Sequence, residues 1–163
     1  MATWSEIEKS APELAASVRA ILDAHTNKIL ATLRRDGSPR VSGTETQFAG
    51  GDLWFGAMWH SRKALDLQRD PRFALHSASP DVPDDPATWA GDAKLAGRVE
   101  EITDPERIKA VQGTSGEEQP GPSHLFRADI TEMVLTRVGG DPPDHLVIDS
   151  WHEGRGLRRV QRR

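Results

Sequence analysis

The chain has 163 residues, no cysteine and a formal net charge of -4 at pH 7. This length suits one domain with a sizeable core, and the lack of cysteine excludes disulfides, thiolate metal sites and cysteine nucleophiles. The first ten residues are polar and do not resemble a signal peptide, and no apolar run approaches the roughly 20 residues of a membrane span. We therefore expect a soluble, cytoplasmic protein that does not associate with membranes.

The first part of the chain predicts a helix followed by a meander of three antiparallel strands. Apolar residues at helical spacing over about 11–25 lie on one face of that helix; they are Leu14, Val18, Ile21 and Leu22. Strands are predicted at 28–33, 40–48 and 53–57. The dipeptides Asp36-Gly37 and Gly50-Gly51 mark the turns between them.

The rest of the chain predicts two further helices, four strands and two loops. A helix covers 61–70, where Asp70-Pro71 ends it. Strands are predicted at 72–77, 93–102, 130–138 and 146–151, a helix at 104–111, and loops at 79–91 and 112–123. This pattern indicates a mainly β fold with peripheral helices, a closed barrel over about 28–151. We expect one domain, 1–163, that ends in a basic tail over 152–163.

The basic tail contrasts with the rest of the chain. Residues 153–163 hold five arginines and one acid, a sum of +4, which leaves -8 on the other 152 residues. An acidic body argues against broad nucleic-acid binding, which needs a basic face. The tail could bind RNA, a small anionic ligand or an acidic partner surface, or it could be a frayed terminus, and composition leaves these alternatives open.

The start of the 61–70 helix breaks a charge preference. Ser61 is a good N-cap, yet Arg62 and Lys63 occupy the first turn, where the helix macrodipole already places positive partial charge. Ala64, in the capping-box position, offers no carboxylate. Free N–H groups, a hydroxyl and two cations together can bind a phosphate. The alternative is a solvated basic turn.

Other motifs are absent or ambiguous. The six histidines show no metal-ligand spacing, and neither Gly-x-Ser-x-Gly nor Gly-x-Gly-x-x-Gly occurs, so we expect no metal site, nucleophile elbow or Rossmann nucleotide site. Ser42, Thr44 and Thr46 alternate along the second strand and share one face. They form either the solvated face of a sheet or a row of hydrogen-bonding partners for a planar ring.

Several short segments follow one another in a distinctive order. They are Arg35-Asp36-Gly37-Ser38-Pro39, Arg40-Val41-Ser42-Gly43-Thr44, Leu53-Trp54-Phe55, Ser61-Arg62-Lys63-Ala64, Asp70-Pro71-Arg72 and Trp151-His152-Glu153-Gly154-Arg155. This order, over roughly 12–160, resembles the pyridoxamine 5'-phosphate oxidase-like family of split β-barrel flavoproteins, and the Ser-Arg-Lys-Ala element is its most specific part. The resemblance implies a split β-barrel of FMN-binding type and a homodimer with FMN in the groove between its two chains.

The resemblance also implies roles for individual residues. Arg62 and Lys63 would bind the FMN phosphate, and Ser61 would assist at the helix start. The other implied contacts are Arg40, Val41, Ser42 and Gly43 under the ring and ribityl chain, Ala57 and Met58 over the ring, and Trp151 with Arg155 or Arg158 at the flavin of the other subunit. Trp59 and His60 are candidates to contact substrate, with core packing favoured for Trp59. No catalytic acid or base is expected, because the flavin performs the chemistry.

The substrate and the cofactor leave alternatives open. The oxidase proper needs a tyrosine to hold its substrate's phosphate, and this chain has none, so we expect an oxidoreductase with another small-molecule substrate. A related group on the same barrel uses the deazaflavin coenzyme F-420 in place of FMN. The protein could instead be a flavin carrier or sensor without turnover, or bind RNA through its tail. Truncation after Ser150 is expected to cost cofactor affinity and leave the barrel folded.

Overall fold

The structure is a computed structural model that describes residues 2–113 and 121–163. It consists mainly of β-strands. Within these residues the strands are β1 (Asn27–Leu33), β2 (Pro39–Ala49), β3 (Asp52–Met58), β4 (Arg72–His76), β5 (Asp92–Ile102), β6 (Ser123–Gly140), β7 (Pro143–His152) and β8 (Gly156–Arg162). Neighbouring strands pair in the order β3-β2-β1-β4-β5-β6-β7-β8. Because β3 also pairs with the first part of β6, six strands close into a barrel, and β7 and β8 extend the sheet beyond it.

Short helices surround the barrel. In the described part of the chain they are α1 (Trp4–Ser10), α2 (Pro12–Asp23), α3 (Arg62–Arg69) and α4 (Pro105–Gln112), with a 3-10 turn at Pro86–Thr88. The apolar face predicted for α2 is confirmed, since its four predicted residues are at most 9% exposed. Among the residues described, no helix is both long and apolar enough to cross a bilayer.

Strand alternation divides the residues of the sheet between two faces. The inward row, read across the register from β1 to β7, is apolar and buried: Leu30, Leu75, Leu95, Met133 and Trp151. Phe55 joins this core, with ring centroids 5.5 Å from Phe73 and 6.0 Å from Phe126. Burial of each such side chain contributes about 1.5–3 kcal/mol to the free energy of folding. This core therefore stabilises the barrel.

The outward row crosses the same strands and is mixed in character. Read in register from β2 to β8, it consists of Gly43, Ile29, His76, Lys94, Val134, Ser150 and Arg158. A shallow groove of about 290 Å³ lies on this face, and Ala31 and Ala74 are among the residues that line it. Ile29, also in the groove, is 46% exposed, so the outside of the barrel presents an apolar surface.

The predicted mainly β barrel with peripheral helices is confirmed, and so is the antiparallel meander of β1, β2 and β3. α1 has no counterpart among the predicted elements, and β8 lies in the predicted tail, although residues 156–162 pair with β7 along their whole length. The strand predicted at 130–138 is part of the longer β6. Most of the loop predicted at 112–123 lies outside the described residues.

Candidate functional site

The N-terminus of α3 follows β3, which ends at Met58. Ser61 has the extended backbone of an N-cap, but its side chain makes no capping hydrogen bond. Its Oγ is buried and has no partner among the residues that the structure describes. The first N–H groups of a helix have no intrahelical acceptor. The first N–H groups of α3 and the Ser61 hydroxyl therefore lie together at Ser61–Ala64, which we call the cradle.

Two cations belong to the cradle. Lys63 Nζ donates a hydrogen bond to the backbone oxygen of Gly43 on β2, at 2.7 Å. Burial lowers the pKa of Lys63 below its ordinary value, and the nearby Glu45 offsets part of this effect. Arg62, the first residue of the helix, is exposed. An anion in the cradle would therefore be favoured by both charges and by the free N–H groups.

One buried carboxylate organises the arginines beside the cradle. Asp66 is 4% exposed and accepts hydrogen bonds from Arg40 Nε at 2.6 Å, Thr32 Oγ1 at 2.9 Å and Arg69 at 3.1 Å. Burial by itself raises the pKa of Asp66, but these hydrogen bonds outweigh burial and hold the pKa below its ordinary value. Arg40, a predicted cofactor contact, thus has its Nε engaged, and its side chain is 24% exposed.

A cleft of about 770 Å³ lies between α3 and the turn that joins β1 to β2. Its charged lining consists of Arg34, Arg35, Arg40, Arg62 and Arg69, with Asp36 and Asp66. We call it the arginine cleft. Arginines outnumber carboxylates in this lining, so the cleft can attract an anionic group that extends beyond a single phosphate.

The predicted ring contacts on the outer side of β2 and β3 lie next to the cradle. Val41 is 70% exposed and Met58 is 79% exposed. At Gly43 a Cβ atom would meet nothing within 4 Å, so the backbone is open to close approach from this side. These three residues form an uncovered, partly apolar surface beside the cradle.

The other predicted contacts on β2 and β3 point inward. Ser42 lies opposite Leu30 in the register, and Thr44 is 4% exposed, so the polar row of β2 is not a solvated face. Thr46 has a buried Oγ1 without a partner among the described residues. Ala57 is buried in the core. A ring on the outer side of β2 would contact the backbone of these residues rather than their side chains.

One of the residues between β3 and α3 is more exposed than predicted. Trp59, for which core packing is favoured above, is 52% exposed. Its ring lies against His60 and against His124 of β6, with centroids 4.7 and 4.6 Å apart. Trp59 and His60 therefore lie directly before the cradle, and Trp59 is open to solvent.

The C-terminal residues require a correction. Trp151 is 5% exposed and packs in the core, in register with Met133 and Leu157, and not at the surface where the resemblance implies a cofactor contact. Arg155 is exposed in the turn between β7 and β8, and Arg158 is exposed on the outward face of β8. Of the three predicted residues, Arg155 and Arg158 are exposed and Trp151 is buried.

Sequence analysis misses several residues of this site. Asp66 and Arg69 lie four and seven positions after Arg62, a spacing that places them on one helix face, and this signal is visible in the sequence. His124 and Glu101, which contact each other at 2.5 Å, give no such signal because they lie 23 positions apart on two separate strands, which pair only in the folded sheet.

The fold is shared by many solved structures at low sequence identity. An FMN-binding protein related to pyridoxamine 5'-phosphate oxidase, from Nostoc punctiforme, is 14% identical, with 96% of this chain and 97% of that chain covered and a TM-score of 0.59. A protein described as an F420 reductase is 22% identical, with 71% and 94% covered and a TM-score of 0.52. A heme binding protein from Mycobacterium smegmatis is 15% identical, with 91% and 87% covered and a TM-score of 0.55.

These structures show the fold alone, and a comparison with curated protein sequences finds no match. The family model for pyridoxamine 5'-phosphate oxidase, in contrast, matches residues 14–137, which is most of the chain. That range includes the cradle, the arginine cleft and all six barrel strands except the last residues of β6. The chain belongs to the pyridoxamine 5'-phosphate oxidase family.

Proposed function

We propose that the protein binds FMN at the cradle and acts as an FMN-dependent oxidoreductase. The observation that supports this most is the buried, unpartnered Oγ of Ser61 at a helix start where Arg62 and Lys63 add positive charge. A phosphate monoester would accept hydrogen bonds from this hydroxyl and from the free N–H groups. A related fold described as FMN binding agrees with this choice of ligand.

The flavin ring would lie over the outer side of β2 and β3. Val41 and Met58 offer apolar contact there, and Gly43 permits the ring to approach the backbone. When bound, FMN supplies hydride transfer at its ring. The chain would hold the phosphate, orient the ring and leave one face open to a small substrate near Trp59 and His60.

A second copy of the chain would complete this site. Val41 and Arg158 lie on the same outward face of the continuous sheet, towards its opposite ends. Two-fold symmetry can therefore bring Arg158 of the partner subunit to the ring site. The outer groove contains both Lys94 and Glu132 beside apolar residues, so a two-fold contact can pair opposite charges as well as cover apolar surface.

Removal of either cradle cation should weaken FMN binding. We expect Lys63→Ala to cost about 1.5–3 kcal/mol of binding free energy, the usual value for a hydrogen bond to a charged group. Arg62→Ala should cost at least as much, because a guanidinium can bind phosphate through two hydrogen bonds. Fluorescence titration of the purified variants with FMN measures both effects.

Two controls separate the phosphate contact from general electrostatics. Riboflavin lacks the phosphate, so it should bind weakly and be insensitive to both substitutions. Lys9 is exposed on α1, where the N–H of Ser5 bonds to Gly51 at the far end of β2 and β3, so Lys9→Ala should leave FMN affinity unchanged. Equal affinity of the wild type for FMN and riboflavin would contradict the proposed cradle.

The arginine cleft favours a second candidate cofactor, the deazaflavin coenzyme F-420. This coenzyme carries an acidic side chain beyond its phosphate, and five arginines line the cleft next to the cradle. A protein described as an F420 reductase shares the fold. The same titration with F-420 decides between the two: tighter binding of F-420 than of FMN would replace FMN in the proposal, and the reverse order would retain it.

Turnover distinguishes an enzyme from a flavin carrier or sensor. In the proposed oxidoreductase, NAD(P)H reduces the bound flavin and an electron acceptor reoxidises it, and both steps are visible in the flavin absorbance. A bound flavin that undergoes neither step with any acceptor tested would favour the carrier or sensor.

We expect a homodimer of twice 18.0 kDa in solution. Ala74→Glu places a charge in the outer groove. It should produce monomers with weaker FMN binding, because dimer formation and the shared FMN site both depend on this face. Ala110→Glu makes the same change on the exposed side of α4 and should leave the dimer intact. Light scattering after size exclusion measures the mass, and a monomeric wild type with full cofactor occupancy would contradict the shared site.

A further inference from the structure

We propose that His124 is a positioning residue of the cradle, which holds the backbone of His60 so that the N-terminus of α3 faces its ligand. This inference rests on the proposed phosphate ligand and concerns how the cradle keeps its shape. His124 lies on β6, is 3% exposed and is separated from His60 by 64 positions in the chain.

The link from β3 to α3 contains an unfavourable backbone conformation. His60 has a φ of 55°, in the left-handed region that non-glycine residues seldom adopt. Such a conformation persists only when its surroundings enforce it. The N–H of His60 donates to Nε2 of His124 at 3.2 Å, and the N–H of Ser61 closes the turn on the oxygen of Met58 at 3.0 Å. The direction of the first helix N–H groups therefore depends on the contact between His60 and His124.

His124 is itself held in one orientation. Its Nδ1 lies 2.5 Å from Glu101 Oε1 on β5, and Glu101 also accepts from Gln68 Nε2 of α3 at 3.0 Å. An imidazole that accepts a hydrogen bond at Nε2 carries its proton on Nδ1, and the Glu101 carboxylate favours this tautomer. A series of contacts therefore joins Gln68, in the last turn of α3, through Glu101 and His124 to His60, the residue before the N-cap. Both ends of the helix are in this way connected to barrel strands.

Trp59 protects this arrangement from solvent. Its indole stacks on the His124 ring with centroids 4.6 Å apart and an angle of 8° between the planes. A flat ring at position 124 can preserve this packing without either nitrogen, which allows packing and hydrogen bonding to be tested separately.

The experiment compares FMN and riboflavin binding in two variants of His124. His124→Phe keeps a ring against Trp59 and removes the acceptor for the N–H of His60. FMN affinity should then fall about tenfold or more, which corresponds to one hydrogen bond to the charged phosphate. Riboflavin affinity should not change, because riboflavin does not use the cradle. His124→Gln restores an acceptor near the position of Nε2 and should recover most of the FMN affinity.

His145→Phe is the matched control, because Nδ1 of His145 also contacts a carboxylate, Asp144 at 2.6 Å, on a different part of the sheet. It should leave both affinities unchanged. Unaltered FMN affinity in His124→Phe, a parallel loss of FMN and riboflavin binding, or a His124→Gln variant no better than His124→Phe would each overturn the proposal.

Nitrogen-15 NMR of the wild type provides a test that needs no variant. The His124 ring should carry its proton on Nδ1, and a proton on Nε2 would overturn the proposal even where His124→Phe fails to fold. Failure of the wild type to bind any flavin phosphate would instead overturn the proposed function, so the two failures are distinguishable.

Discussion

Asp66→Ala should lower the free energy of unfolding by about 3 kcal/mol, the lower end of the range for breaking a buried ion pair. The Asp66 side chain is 5% exposed, and its loss would remove the acceptor of Thr32 Oγ1 and Arg40 Nε. Arg69 would keep its second acceptor, the backbone oxygen of Leu33. Arg40 and Arg69 are 24% and 35% exposed, so water can reach them and limits the cost. Urea unfolding followed by tryptophan fluorescence measures the change.

Asp70→Ala is the matched control for this prediction. Asp70 pairs with Arg72 at 2.6 Å, but the Arg72 side chain is 61% exposed, and exposed pairs contribute little to stability. We therefore expect a much smaller loss than for Asp66→Ala. Equal losses in the two variants would contradict the special role of the buried carboxylate.

The effect of Asp66 should also depend on pH in a definite direction. The pKa of Asp66 in the folded protein lies below its ordinary value of 3.8. The stabilisation is therefore fully present above that value and is lost as the pH falls through the folded-state pKa. The difference in stability between the wild type and Asp66→Ala should narrow in acid, and a difference that stays constant there would count against the ion-pair explanation.

The cradle could be predicted from sequence because its residues are consecutive. Ser61, Arg62 and Lys63 place two cations at a helix start, and this conflict is visible without any structure. His124 has no comparable signal, and the helical spacing of Asp66 does not reveal its partner on β1. Thr32 lies 34 positions from Asp66 and His60 lies 64 positions from His124, so only the closed barrel brings these partners together.

The two missed elements show how polar composition conceals structure. α1 has a capping box formed by Thr3 and Glu6, but a helix of seven residues depends on packing rather than propensity, and here Trp4 and Ile7 provide that packing. β8 is rich in arginine and was expected as a tail. It forms a strand because its backbone pairs with β7 from Leu146 to His152, and Arg159 Nε also pairs with Asp149 of β7 at 2.5 Å.

Trp151→Ala should cost about 3–5 kcal/mol of stability, the usual range for removing a large buried aromatic side chain. Trp151 is 5% exposed in the main core and lies between Met133 and Leu157 in the register. Leu157→Ala is the control in the same hairpin, because Leu157 is 54% exposed and should contribute far less. Thermal or urea unfolding of the two variants measures the contrast.

The same geometry reverses the expectation for truncation after Ser150. That truncation removes Trp151 from the core together with β8, which pairs with β7 from Leu146 to His152, so we expect an unstable or aggregated product rather than a folded barrel. A truncated protein with the stability of the wild type would show that the core does not depend on Trp151. Arg158→Ala alters only one exposed side chain on the outward face and should leave folding intact. It therefore tests whether a C-terminal arginine contacts the cofactor, separately from the role of this segment in folding.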